Sequence, residues 1–265
     1  MRFLVQRSCP NQLIRIPVET RGAQRISIVV SHSSKPNTDY FRTSPVIKGR
    51  DAFIVKIPKI PKRVTVEIWN DARGHMNNDP SFRIGKVRLS PIVMPYGISK
   101  IDDPKVNSFA AFSDYFAENA GILSARNSIY ASPDGRFSID YKDVIRDAEG
   151  EELTTPSRIN SRTGVMEIAK KYYMGYTVPG RKAVQWHEYA HIHMNKNPSD
   201  EMAADKHSIA MYLCMGNPTI EAFNVWCRIF KNRASDNNVA RWDEIRNYIA
   251  NFHNEMSKRA NTIAA

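Results

Sequence analysis

Short runs of β-branched and aromatic residues, partly alternating with polar residues, dominate the first 95 positions of the chain. The clearest runs are RISIVVSHSS, DAFIVKIPKI, RVTVEIWN and SFRIGKVRLSP. Such alternation is typical of strands that bury one face, and polar clusters such as HSSKPNTD supply turns between them. The spacing therefore predicts an all-β domain over residues 1–95, a β-sandwich of roughly four to seven short strands.

After residue 95 the apolar positions recur with the period of helices. The segment NSFAAFSDYFAENAG (107–121) has an Asn/Ser start, helical spacing and a glycine stop, which predicts a helix. Residues 127–144 predict a hairpin around Ser-Pro-Asp-Gly, and the β-branched and aromatic content of 163–178 favours a strand. Further helices are predicted at 181–195, 199–215, 218–233 and 239–260. We therefore expect an α+β protein whose second domain covers residues 96–265.

Charge is distributed unevenly between these two regions. The net charge is +11, and residues 1–95 carry all of it, with 17 Lys/Arg against 6 Asp/Glu, whereas residues 96–265 have 21 of each. A basic domain can contact an acidic protein, an anionic surface or nucleic acid. The cations are spread along the strands, and no nucleic-acid-binding motif is present. We therefore favour the interpretation that these side chains form an ordinary solvated surface. An acidic protein partner is the next alternative, and nucleic acid ranks below it.

Other bulk features narrow the class of protein. No stretch approaches the roughly 20 apolar residues of a membrane helix, so no membrane span is predicted. The N-terminal MRFLVQRSCPNQ lacks the features of a secretory signal, and three scattered cysteines are too few for a disulfide framework. These features predict a cytoplasmic location.

The sequence RKAVQWHEYAHIHM contains the pattern H-E-x-x-H at His187, Glu188 and His191. Histidines four residues apart lie on one face of a helix, so their imidazoles can reach the same metal ion. Glu188 is rotated by about 100° from His187, which places its carboxylate beside the metal as a general base. Zinc accepts imidazole and carboxylate ligands and keeps a position open for water. The pattern predicts one Zn²⁺ per chain and a metal-activated water.

A third protein ligand is expected downstream of this pattern. His193 is excluded because it lies about 200° around the helix from His191. Glu201, at the start of the next predicted helix, can face back towards His191 and is favoured. Asp205, one turn further along, is placed to accept the Nδ1–H of a ligand histidine, with direct metal ligation as the alternative. A solvated acidic helix face would explain the same two carboxylates without any metal.

HEYAH, followed by E-x-x-A-D at Glu201–Asp205, resembles the gluzincin peptidases. The likeness is greatest to the CaaX prenyl protease and heat-shock membrane endopeptidase family and its small soluble relatives, the minigluzincins. It implies a zincin-like domain, Glu201 as the third zinc ligand and a substrate-binding edge strand within 163–178. His207 is the candidate for stabilising the transition state, with the alternatives Tyr172, Tyr173 and Tyr212. The chain departs from the family in lacking membrane helices and in its short spacing between His191 and Glu201.

The sequence is compatible with three functions. The first is a zinc endopeptidase, in which Glu188 deprotonates a zinc-bound water that attacks a peptide or protein substrate. The second is a structural or adaptor subunit of a large assembly, such as a virus particle, that retains a peptidase-like fold and forms a homo-oligomer. The third is a nucleic-acid-associated metalloprotein, which steeply salt-dependent DNA binding would support.

Overall fold

The structure is a computed structural model that describes residues 1–9, 11–59, 61–92, 103–126, 128–194, 197–231 and 236–264. It divides into two compact units, Met1–Val93 and Met94–Ala265, close to the predicted boundary between residues 95 and 96. The protein mixes α and β structure and has an antiparallel sheet at its N-terminal end, as predicted.

The N-terminal unit is a seven-stranded antiparallel sheet built around one long strand, β2. Its strands are β1 (Arg2–Gln6), β2 (Gln12–His32), β3 (Asp39–Thr43), β4 (Val46–Ile57), β5 (Arg63–Asn70), β6 (Phe82–Ile84) and β7 (Arg88–Pro91). The first half of β2 pairs with β4, β6 and β7, and its second half pairs mainly with β3 and β5. One strand therefore joins both parts of the sheet, where separate short strands were predicted.

A bulge divides the two halves of β2. The pairing of β2 with β4 shifts register between Glu19 and Ala23, and Gly22 within this shift has a φ of 74°. Glycine adopts this left-handed conformation without a steric penalty, so the bulge can form inside a continuous strand. On both sides of it alternate residues are buried, as at Ile14 and Ile28, which confirms the alternation seen in the sequence.

The C-terminal unit combines helices with a small mixed sheet. Its elements are α1 (Pro104–Asn119), β8 (Ser128–Ala131), β9 (Ser138–Lys142), β10 (Ile145–Arg146), β11 (Glu152–Leu153), β12 (Ser157–Ile159), β13 (Met166–Ala169), α2 (Lys170–Tyr173), α3 (Val178–His193), α4 (Glu201–Cys214), α5 (Thr219–Lys231) and α6 (Asp236–Ala264). The four-stranded sheet has the order β12-β13-β9-β8. Of its pairs, β13 with β9 is parallel and the other two are antiparallel. The predicted hairpin at 127–144 is confirmed as β8 and β9.

Of the strand predicted at 163–178, only the four residues Met166–Ala169 form a strand in the structure. After Ala169 the chain forms the short helix α2, and Thr177 is the N-cap of α3. Pro179 and Gly180, which directly follow this segment, lie in the first turn of α3, where proline needs no N–H partner. In addition, β13 is an interior strand, so the expectation of an edge strand within this segment is wrong, and β12 is the edge.

Aromatic side chains fill the core of the C-terminal unit around α3. Phe109 from α1 packs on Trp186 and Tyr189 of α3, with ring centroids 4.8 and 4.2 Å away. The core therefore fixes one face of α3 and leaves the opposite face to line a cleft.

Within the described part of the chain, no helix is both long and apolar enough to cross a membrane.

Candidate metal centre

Helix α3 places both histidines of the H-E-x-x-H pattern on its cleft side. The helix begins at Val178, where the Thr177 hydroxyl accepts a hydrogen bond from the Gly180 N–H at 3.3 Å. Because Trp186 and Tyr189 are buried in the core, His187 and His191 face the other way, one helical turn apart. Their Nε2 atoms are 3.1 Å from each other.

Helix α4 brings the third side chain to the same point. It begins at Glu201, directly after Asp200, whose carboxylate accepts from the Ala203 N–H at 2.9 Å. The Glu201 carboxylate oxygens lie 3.5 Å from His187 Nε2 and 3.6 Å from His191 Nε2. His187, His191 and Glu201 therefore form a group that could hold a metal ion, as the sequence predicted.

The outer nitrogens of both imidazoles also face acceptors. His187 Nδ1 lies 3.0 Å from a carboxylate oxygen of Asp205, and His191 Nδ1 lies 2.7 Å from the Pro198 carbonyl oxygen. An acceptor at Nδ1 fixes the ring orientation and leaves the lone pair of Nε2 for a metal. Asp205 thus lies beside Nδ1 of His187, a candidate metal ligand.

Asp205 and Glu201 share one cation, which no motif in the sequence marks. Arg241 of α6 lies 2.7 Å from Asp205 through Nε and 2.9 Å from Glu201 through a terminal nitrogen. The indole N–H of Trp226 on α5 donates to Asp205 at 2.9 Å. Both residues sit in helices without any motif, so no local pattern in the sequence marks them. They hold the two carboxylates of α4 in place.

The carboxylates change the proton affinity of His187. Burial alone would lower its pKa, but the adjacent Asp205 and Glu201 carboxylates outweigh burial and raise the pKa to about 10. Asp205 shows the converse effect, because His187 and Arg241 overcome burial and lower its pKa to about 2. A metal that binds at His187 Nε2 must displace this proton.

Glu188 points into the same cleft and is held by one hydroxyl group. Ser157 of the edge strand β12 donates a hydrogen bond to Glu188 Oε1 at 2.7 Å, and both side chains are buried. The pair joins the sheet to α3 beside the two histidines. Ser157 carries no sequence signal for this role, because it lies 31 positions from its partner.

The site lies in a cleft of about 490 Å³, within the usual range for a ligand site. Besides His187, Glu188, His191, Glu201 and Asp205, it is lined by residues that include Thr155, Ser157, Arg158, Val225, Trp226 and Arg241. The edge strand β12 contributes one side of the cleft. The walls therefore combine an exposed strand edge with the metal-ligand group.

Several candidates for a transition-state stabiliser lie elsewhere. His207 is two residues beyond Asp205 on α4 and does not line the cleft. Tyr173 accepts a hydrogen bond from Gln185 in the core, Tyr212 donates to the Pro218 carbonyl oxygen, and Tyr172 donates to Glu152. None of the three tyrosines is among the residues that line the cleft.

His193 is turned away from the site, as its position on the helix predicted. Its ring packs on Phe137 and Tyr189, with centroids 5.4 and 4.7 Å away. Burial in these surroundings lowers the pKa of His193 to about 4. This half-buried histidine therefore packs against aromatic side chains of the core and not towards the candidate metal group.

No protein-family model matches the chain, and a search of curated proteins finds no significant relative.

Proposed function

We propose that the protein is a zinc-dependent endopeptidase with a zincin-like C-terminal unit. The observation that carries the proposal is the convergence of His187, His191 and Glu201 beside the carboxylate of Glu188 in one cleft. Two imidazoles and a carboxylate are the protein ligands of many catalytic zinc sites, which keep a further position open.

The nitrogen and oxygen atoms of the group lie close enough together to share one small ion. The two Nε2 atoms are 3.1 Å apart, and the two oxygens of the Glu201 carboxylate lie 3.5 Å from His187 Nε2 and 3.6 Å from His191 Nε2, respectively. Ligands around a tetrahedral zinc with bonds of about 2.0–2.1 Å are roughly 3.3 Å apart. When bound, zinc supplies a Lewis acid that polarises the substrate carbonyl and lowers the pKa of water.

The chain itself supplies the proton transfers. Glu188 takes a proton from the attacking water and passes it to the amide nitrogen of the leaving group as the peptide bond breaks. The Ser157 hydroxyl, 2.7 Å from Glu188 Oε1, holds one carboxylate oxygen and so directs the other towards the cleft. Asp205 and the Pro198 carbonyl keep the two imidazoles in their ligating orientation.

An extended peptide is the substrate that suits the shape of the cleft. Among the strands that the structure describes, β12 pairs with β13 alone, and Thr155, Ser157 and Arg158 line the cleft along it. A peptide that pairs with this edge through its backbone would lie across the metal centre without requiring a particular side chain. Sequence preference would then come from pockets further along the cleft.

The proposal is tested by metal content together with hydrolysis of a protein substrate such as casein. We expect one zinc per chain in the wild type and a loss of zinc in His187→Ala and Glu201→Ala. Glu188→Gln should keep the zinc while hydrolysis falls by about 10²–10⁴-fold, because it removes only the general base. Absence of zinc from the wild type after zinc addition, or unchanged hydrolysis in Glu188→Gln, would contradict the proposal.

A further inference from the structure

A groove of about 630 Å³ lies on the N-terminal unit, on the outer face of the first half of β2. In this half of the strand Ile14, Ile16 and Val18 are buried, so the alternate residues Arg15, Pro17 and Glu19 project from the opposite face. Strands β4 and β6 flank β2 and complete the groove. All of its lining residues lie between positions 15 and 85.

Small and apolar side chains form the floor of this groove. Pro17 of β2 pairs with Ala52 of β4, and on its other side the Pro17 carbonyl accepts from the Gly85 N–H at 2.9 Å. A Cβ atom at Gly85 would lie 3.1 Å from the Pro17 Cβ, so only glycine fits without displacing its neighbour. The row Ala52, Pro17 and Gly85 therefore leaves a depression between larger residues.

Arginine side chains form the walls. Glu19 holds Arg83 through two hydrogen bonds of 2.7 and 2.9 Å and lies 3.4 Å from Arg50, so one carboxylate orients two guanidinium groups. On the other side Arg15 pairs in register with Arg88 of β7. Like charges directly opposite each other destabilise a sheet, and neither arginine has an acidic partner among the residues that the structure describes.

We propose that this arginine groove binds an acidic peptide segment of a partner protein. Carboxylates in the peptide can pair with Arg15, Arg50 and Arg83 and relieve the repulsion between Arg15 and Arg88. The apolar floor of Pro17 and Ala52 can contact the peptide between its charged groups.

The lining fits a peptide better than nucleic acid. Among the residues that the structure describes, no aromatic side chain lines the groove, so these residues offer no platform on which bases could stack. Glu19 also occupies the centre of one wall, where a continuous phosphate backbone would meet a like charge. A peptide with spaced carboxylates avoids that position.

Fluorescence anisotropy of the full-length chain tests this proposal. The probe is a fluorescein-labelled peptide of alternating glutamate and serine, with a glutamine-serine peptide for comparison and EDTA present to suppress hydrolysis. We expect saturable binding of the acidic peptide only, weakened tenfold or more by the double substitution Arg15→Ala and Arg50→Ala. Ala52→Trp, which fills the floor without changing the charge, should weaken binding to a similar extent.

The matched control removes two exposed arginines of the same unit outside the groove, Arg21→Ala with Arg63→Ala, and should change affinity less than twofold. Equal weakening by both double variants would reduce the effect to non-specific attraction and overturn the proposal. Tighter binding of single-stranded DNA of equal charge, lost in the Arg15 and Arg50 variant, would overturn the assignment to a peptide. Thermal unfolding of each variant shows that its fold is retained.

Discussion

At the scale of single residues, Asp205 shows how the metal centre is organised. Its side chain is fully buried, and its carboxylate oxygens lie within 3.0 Å of nitrogen atoms of His187, Trp226 and Arg241. A buried carboxylate is costly unless it is paired and hydrogen-bonded, and Asp205 accepts hydrogen bonds from Trp226 and Arg241. With the Asp205 carboxylate beside its Nδ1, His187 has its Nε2 towards His191 and Glu201.

Substitution of Ser157 by alanine should separate the positioning of Glu188 from metal binding. Loss of the hydroxyl leaves Glu188 free to rotate, and a hydrogen bond to a charged group contributes about 1.5–3 kcal/mol. We expect kcat for peptide hydrolysis to fall at least tenfold while KM and the zinc content stay close to those of the wild type. Steady-state kinetics and elemental analysis measure the three quantities.

Thr155→Val provides the control for this prediction. Thr155 lines the same cleft, but its hydroxyl donates to the Ser157 carbonyl oxygen, whereas the hydrogen bond to Glu188 comes from Ser157. Its kcat should therefore remain within about threefold of the wild type. If Thr155→Val lost as much kcat as Ser157→Ala, general disturbance of the edge strand would explain both results.

The sequence predicted the residues that converge in the candidate metal group but not the residues that surround them. His187, Glu188 and His191 share one helix, whose geometry converts spacing directly into proximity. Arg241 and Ser157 reach the site from 36 positions beyond Asp205 and 31 before Glu188, through tertiary packing. No local period encodes such contacts, and the same reason explains why His207 looked suitable although it lies outside the cleft.

At the scale of elements, a buried ion pair connects α3 to α1. The ammonium group of Lys182 on α3 lies 2.6 Å from Asp114 of α1 and donates to Asn217, in the turn between α4 and α5, at 2.8 Å. The Lys182 side chain is 8% exposed and that of Asp114 is 21% exposed. Composition alone would have assigned this lysine to the surface, because charged residues are rarely buried without a partner.

Substitution of Lys182 by methionine should destabilise the packing of these helices. Removal of one partner from a buried pair typically costs 3–5 kcal/mol, and the partial exposure of Asp114 reduces the expected loss to about 2–4 kcal/mol. Urea denaturation in the presence of EDTA measures the free energy of unfolding without a contribution from metal.

Lys206→Met is the matched control. Lys206 pairs with Glu244 at 2.7 Å, but the two side chains are 42% and 44% exposed, so solvent screens the interaction. Its loss should cost no more than about 0.5 kcal/mol. Equal losses in the two variants would show that the Lys182 pair contributes no more than a surface pair does.

The prediction of elements succeeded where a single period governed the residues. Helices α1 and α3–α6 and the hairpin of β8 and β9 follow clear periods and turn signals. Residues 163–178 failed because their aromatic and β-branched content suits a strand, whereas Thr177 and Pro179 begin a helix at their end. Tyr173 is fully buried in the core of the unit, so tertiary packing overrides its strand preference.

At the scale of the whole molecule, two kinds of chemistry occupy separate parts of the chain. The candidate metal ligands lie in the unit from Met94 to Ala265, and the arginine groove lies in the unit from Met1 to Val93. The excess of positive charge in residues 1–95 could be counted from the sequence. The clustering of arginines around one depression could not be predicted from the sequence, because it depends on the register of β2 with β4, β6 and β7.

Zinc should stabilise the protein through α3 and α4, which supply all three ligands. A ligand that binds only the folded state adds about 2.7 kcal/mol of stability at a concentration 100 times its dissociation constant. We therefore expect zinc to raise the midpoint of thermal unfolding and EDTA to reverse the change. Hydrogen exchange should slow most at the backbone amides of α3 and the first turn of α4, where the ligands are attached.

Two histidine variants decide whether this stabilisation comes from the proposed site. His187→Ala removes a ligand and should abolish the response to zinc, whereas His207→Ala removes a histidine of α4 outside the cleft and should preserve it. Since both variants lose one imidazole, adventitious binding of zinc to surface histidines would affect them alike. An equal loss of response in both would therefore show that the metal binds elsewhere. A response lost only in His187→Ala would locate the ion between α3 and α4.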